Sequence, residues 1–216
     1  MALTLSGTNG VVGAGFTVDA SGVSVTAGVG TFTSYQGSAA SLTQIPAANI
    51  VGVATAGFGN GILQVVQAVK TDTASTSSAT FADISGLSVS ITPTSTSNKI
   101  LVSCNLYVGG ASNSFQGFKV FRDSTAISLG TAATGNQTNV SFATLVTNAT
   151  SSAFGLHNGT FEFLDSPSST SSLTYKIQFA SLYNSATIYI NRPSTTDNSA
   201  YNLFPSSSIT VREVAA

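Results

Sequence analysis

Charge is what this chain has least of. Its 216 residues include seven Lys or Arg and eight Asp or Glu, 7% in all, and the net charge is -1. The cations stand singly from Lys70 to Arg212. Phosphate binding needs them clustered, so nucleic acid is not an expected partner. Cys104 is the single cysteine, which excludes an intrachain disulfide and predicts an inert, buried thiol. There is one histidine, His157, and no tryptophan. No run of about 18 apolar residues occurs, so no helical membrane span is expected. The opening Met-Ala-Leu-Thr-Leu-Ser lacks a basic segment and a long apolar core, so no secretory signal is expected either. What is present is apolar residue in quantity, 42% of the chain, too much for a disordered protein.

The first 60 residues hold one formal charge, Asp19, and roughly one residue in five there is Gly. Short segments such as Gly15-Phe-Thr-Val-Asp and Gly22-Val-Ser-Val-Thr recur every six to ten residues, the pattern of a weak fibrous β repeat. Such strands expose edge amides and bury little alone. They persist if identical chains wrap around one another, which predicts a homo-oligomer. Leu42, Ile45, Ile50 and Val53 act as isolated apolar anchors around Pro46, and Gly57-Phe-Gly-Asn-Gly61 reads as a hinge. Residues 1–60 are therefore expected to form an attachment or shaft segment, and residues 61–216 a separate domain.

From Ile62 on, strand patterns with turn signals about every ten residues indicate an all-β sandwich. The expected strands are 62–70, 80–83, 87–92, 99–108, 115–122, 126–129, 138–147, 159–164, 172–182, 187–191 and 208–214. Ile100, Val102, Cys104, Leu106 and Val108 fall on one face, and Leu173, Tyr175, Ile177 and Phe179 on another. Ten or eleven strands in this length fit a jelly roll. His157-Asn-Gly159 is read as a hairpin turn, because Asn-Gly is a strong turn signal.

Two stretches carry a resemblance. Ile91-Thr-Pro-Thr-Ser-Thr-Ser-Asn-Lys-Ile-Leu-Val resembles a segment of phage tail-fibre and head-fibre type virion structural proteins. The closing Ala186-Thr-Ile-Tyr-Ile-Asn-Arg-Pro and Ser206-Ser-Ser-Ile-Thr-Val-Arg-Glu-Val resemble the last strands of the same group. The resemblance implies a trimeric jelly roll of the tumour-necrosis-factor or complement C1q type, in which a centrally paired final strand would bury Ile209 and Val211. It also implies a virion location, contacts to other virion proteins through the N-terminal segment, and recognition of a host cell-surface glycan or protein. A capsid decoration or cement protein, or a head fibre stabilising the shell, is the alternative, since the shaft is short.

Catalytic constellations are not evident, and the expectation is a protein that is not an enzyme and needs no cofactor or metal. His157 has Ser and Asp165 at no useful spacing for a nucleophile elbow. Glu162 and Asp165, three apart on a strand, point to opposite faces and so do not pair as a glycosidase couple. Asp123 and Asp197 are isolated among Asn, thin material for a calcium site. The residues with binding character are Tyr107, Tyr183, Tyr189 and Tyr201 with Asn202. Aromatic faces stack on sugar rings while amides bond the hydroxyls.

Overall fold

The computed structural model describes residues 16–19, 22–25, 61–111, 114–131, 134–146 and 154–216. The chain divides into two compact units, Met1–Val53 and Ala54–Ala216. In the first, β1 (Phe16–Asp19) and β2 (Gly22–Val25) form an antiparallel hairpin in which Phe16 opposes Val25. The rest of the expected shaft, and the expected hinge at residues 57–60, lie outside the described residues.

The second unit is all-β among its described residues. Its strands are β3 (Ile62–Lys70), β4 (Ala74–Thr76), β5 (Ala82–Ile91), β6 (Lys99–Gly110), β7 (Ser114–Arg122) and β8 (Thr125–Ile127). They continue with β9 (Phe142–Val146), β10 (Leu156–Asp165), β11 (Leu173–Ser181), β12 (Ile188–Ile190) and β13 (Ser207–Val214). Sheet one runs β3–β13–β6–β10, with β12 taking over from β13 along the last residues of β6 and β4 beside β12. Sheet two runs β5–β11–β7, and β9 and β8 share the outer edge of β7. With the short β4, β8 and β12 set aside, the eight remaining strands stand in the orders first–eighth–third–sixth and second–seventh–fourth–fifth. That is the strand order of a jelly roll, as the sequence predicts.

The two-residue alternation builds the core. Ile100, Val102, Leu106 and Val108 of β6 are fully buried, as are Tyr175 and Ile177 of β11 and Phe118 and Val120 of β7. Ile209 and Val211 of β13 are also fully buried, in the expected central position between β3 and β6. Cys104 faces the same interior, where burial pushes its thiol pKa up to about 12, so the expected inert thiol is found.

Three local readings are corrected. The two segments expected at 80–83 and 87–92 are one strand, β5, interrupted by a bulge where the register against β11 shifts near Ser88 and Asp83. Gly86 sits in that bulge at φ 83°, a region that L side chains adopt only at a cost, so glycine is what lets the strand continue. His157, Asn158 and Gly159 are not a turn but lie within β10, paired with Val108, Tyr107 and Leu106. Long-range pairing overrides the local turn signal here. A Cβ on Gly159 would lie 3.1 Å from Thr144 and 3.2 Å from Phe142, so the glycine serves close packing under β9. The short β4 is a strand that the sequence pattern does not reveal.

Buried polar groups are satisfied in three clusters. Asp165 accepts two bonds from the Arg122 guanidinium (2.9 and 2.7 Å) and one from the Tyr175 hydroxyl (2.7 Å). Asn191, at φ 62°, donates to the carbonyls of Lys70 (2.7 Å) and Asp72 (2.9 Å) and accepts from Ser207 Oγ (2.6 Å). Glu213 is fully buried and, among the described residues, forms no ion pair. It accepts from Thr94 N (2.6 Å), Thr94 Oγ1 (2.8 Å), Asn98 Nδ2 (2.6 Å) and Gln64 Nε2 (2.6 Å). Burial raises its pKa, but those four donors outweigh burial and hold it below its ordinary value. The 93–98 segment singled out in the sequence is thus a clamp on the last strand.

Candidate functional site

The sandwich has two unlike ends. At one, the near end, the chain arrives at Gly61, whose carbonyl accepts from Ala215 N (3.0 Å), and the Glu213 clamp closes the 93–98 loop. At the other, the far end, β6 gives way to β7, β9 to β10, and β11 to β12 and β13. The strand registers place the Tyr residues predicted from sequence at or beside this far end.

Tyr107 and Tyr189 lie together on the outer face of sheet one. Ile190 opposes Val108 and both point into the core, so Tyr189, opposite Gly109, and Tyr107 point outward. Neither ring is an open platform. Both are half-buried, and the Arg192 guanidinium lies 3.8 Å over the Tyr189 ring. Arg192 and Pro193 cross the outer face of β6 at Gly109, where a Cβ would lie 2.2 Å from the Arg192 carbonyl oxygen. A glycine is required for that crossing.

Tyr183 and Tyr201 are the two open rings, 48% and 73% exposed. Each has an aromatic neighbour that the sequence analysis passed over. Phe115 meets Tyr183 edge-on with centroids 5.3 Å apart, and Phe154 meets Tyr201 the same way at 6.3 Å. Phe115 is also exposed and stands opposite exposed Leu145 across β7 and β9. Leu203 and Phe204, in the loop that carries Tyr201, add two more exposed apolar side chains. Asn202 is directed elsewhere: its amide nitrogen donates to the Asp197 carbonyl and carboxylate, which closes the loop on itself. The five predicted residues therefore divide into a half-buried pair on sheet one, Tyr107 and Tyr189, two exposed rings at the far end, Tyr183 and Tyr201, and Asn202, which is spent inside its own loop. The missed partners Phe115 and Phe154 carry no sequence signal, since only the strand pairing brings them beside tyrosines.

Beneath the far end lies a rigid polar layer. Fully buried Ser114 and nearly buried Gln116 join Gly109 and Thr144: Gln116 Nε2 donates to the Gly109 carbonyl (3.3 Å) and Ser114 Oγ (3.0 Å), and Thr144 Oγ1 donates to Gln116 Oε1. Exposed rings are thus mounted on a fixed scaffold, which limits the entropy lost on binding.

The residues weighed for chemistry do not converge. Glu162 is exposed on the outer face of sheet one and accepts from Ser103 Oγ (3.2 Å), whereas Asp165 is buried in its Arg122 and Tyr175 cluster. Burial, and after it the Asp165 carboxylate beside the hydroxyl, raise the Tyr175 pKa against the opposing pull of Arg122. His157 is half-buried within β10. Asp123 accepts from Thr174 N (2.8 Å). Among the described residues no group of three His, Cys, Asp or Glu forms a metal-binding cluster, and no helix is long and apolar enough to cross a membrane.

No family model matches the chain, and no curated protein matches it. Solved structures of infectious bursal disease virus are similar to part of it. For the Gx strain the identity is 13% and the TM-score 0.34, over 70% of this chain and 40% of the viral chain. For the Gt strain the identity is 10% and the TM-score 0.33, over 70% and 39%. This chain thus spans about 40% of the length of those viral chains. Likeness at that level carries neither fold nor function; the jelly roll rests on the strand order.

Proposed function

We propose that this protein is a non-enzymatic structural component of a phage virion, a homotrimeric fibre that recognises a bacterial surface receptor, a glycan in the first instance. One observation carries the reading: the exposed aromatic rings gather at the end of the jelly roll opposite Gly61, where the chain arrives. The far end is thus the one removed from Gly61, where the chain enters this unit, and it is the end left free to meet a receptor. Tyr183 with Phe115, and Tyr201 with Phe154, supply ring faces of the kind that stack on pyranose rings, on a scaffold that does not need to reorganise. Three copies held together bind multivalently, so weak single sites sum to a firm attachment.

The test uses the purified full chain on host cells and on an array of bacterial surface polysaccharides. Binding by the wild type, lost by at least tenfold in Tyr183→Ala and Tyr201→Ala, is the expected result. A wild type that binds no cell surface, together with its location over the whole shell in a virion map, would overturn the fibre reading and leave the cement role. Turnover of the polysaccharide would overturn the non-enzymatic assignment.

A further inference from the structure

The outer faces of the two sheets differ in a way that solvation alone does not call for. Sheet two carries charged and polar groups over β5 and β11, and its exposed apolar pair, Phe115 with Leu145, is confined to the far end. Lys176 pairs with Asp83 (2.8 Å), Gln178 donates to the same carboxylate (2.7 Å), and Lys119 lies 4.3 Å over the Phe81 ring. Lys176 holds the Asp83 carboxyl below its usual range, in the open.

Sheet one is different. Its edge strand β3 pairs only with β13 among the described strands. The outward side chains Leu63, Val65 and Val69 are each at least half exposed. The strand has no proline and no outward charge to blunt its free edge, and its one irregularity lies at its start, where the register against β13 shifts between Ile62 and Gln64. Across the sheet the apolar row continues through Leu101 to exposed Leu164, in register with Val65 through Arg212. The polar groups of the face are already paired with one another. Gln67 Nε2 donates to Thr210 Oγ1 (2.8 Å), Arg212 donates to Ser103 Oγ (3.0 Å), and Ser103 donates on to Glu162 (3.2 Å). Covering such a face costs little desolvation, because few polar groups lose water without a partner.

We propose that this outer face of sheet one, with β3 and its free edge at the centre, is where copies of the chain meet. The proposal rests on the homo-oligomeric reading above and adds the surface that performs it. The charge pattern selects the occupant. Arg212 and Glu162 offset each other through Ser103, so a strongly charged partner finds nothing to pair with. An uncharged β surface fits, and a second copy brings one. The dimensions agree: four strands at ~4.8 Å spacing and about nine residues at ~3.4 Å rise give roughly 600 Å² in plane, near the ~800 Å² per partner of a stable interface.

The experiment measures the mass of the full chain by analytical ultracentrifugation and native mass spectrometry across a dilution series. The double variant Val65→Glu/Val69→Glu is compared with Ser88→Glu/Ser90→Glu on sheet two. The expected result is an oligomer for the wild type and the sheet-two variant, and a mass of one chain for the β3 variant with an unchanged β-rich circular dichroism spectrum. Should the β3 variant lose its fold, hydrogen exchange on the wild type decides: β3 amides exchanging as slowly as those of β13 support the interface, and fast exchange along β3 overturns it. An oligomer unaffected by Val65→Glu/Val69→Glu overturns this surface while leaving assembly intact. A monomeric wild type overturns both.

Discussion

At the near end of the sandwich, the hydroxyls and amides of the 93–98 loop converge on one buried carboxylate, Glu213. At the far end, loops equally rich in Ser, Thr and Asn instead hold Tyr183 and Tyr201 open to water. Composition does not separate the two ends. An acceptor within reach does: Glu213 comes from the final strand and gathers donors from residues more than a hundred positions away, apart from its own face. Where no such acceptor stands, the loops keep their shape through the strand ends beneath them, and their side chains remain available. One end closes the fold and the other offers a surface.

That contrast breaks most visibly at Glu213. Glu213→Ala removes the acceptor of four hydrogen bonds and leaves buried donors unpartnered, at a cost of about 3 kcal/mol or more, read as a loss of urea stability. A cost as small as that of an exposed tyrosine would dissolve the distinction between the ends. Next comes the scaffold under the far end. Gly109→Ala places a Cβ 2.2 Å from the Arg192 carbonyl, and the strain is expected to cost about 2–3 kcal/mol and to lower the melting temperature.

Acid sharpens the same contrast. Glu213 has a native pKa below 4.5, so the stability it contributes is complete above that value and drains away as pH falls through the native pKa. Stability measured by urea between pH 7 and pH 3 should fall, and in Glu213→Gln the fall should be shallower. A variant with the same acid slope as the wild type would show that other carboxyls govern the acid limb. The smallest expected effects are at the far end. Tyr183→Ala and Tyr201→Ala should change stability by about 0.5 kcal/mol or less, since exposed side chains away from buried networks seldom matter more. Their consequence should appear in receptor binding alone.

Much of the fold is legible in the sequence because most strands bury one face. The bounds of β3 are read directly and the inward set of β6 from Ile100 to Val108 follows from alternation, whereas the burial of Ile209 and Val211 is expected only from the resemblance to closed trimers. The pattern fails where a local signal competes with distant pairing. Ser85 and Gly86 look like a break between strands but form a bulge inside β5, and Asn158-Gly159 looks like a turn but is mid-strand. The site was half legible. Exposed tyrosines were found by residue type, yet Phe115 and Phe154 become their neighbours only through the registers of β7 and β10. Tyr107 and Tyr189 share a face as their strands require, but the Arg192 crossing that covers Tyr189 depends on Gly109 in the neighbouring strand β6, far away in sequence.

β13 completes sheet one from the inside: it lies between β3 and β6 yet follows every other described strand in the chain. While a ribosome is still delivering the polypeptide, sheet one is a gap flanked by two unsatisfied ladders, and the carboxylate that locks the 93–98 loop has not yet been made. Maturation of the domain is therefore a single late event, slow by virtue of its long-range closure.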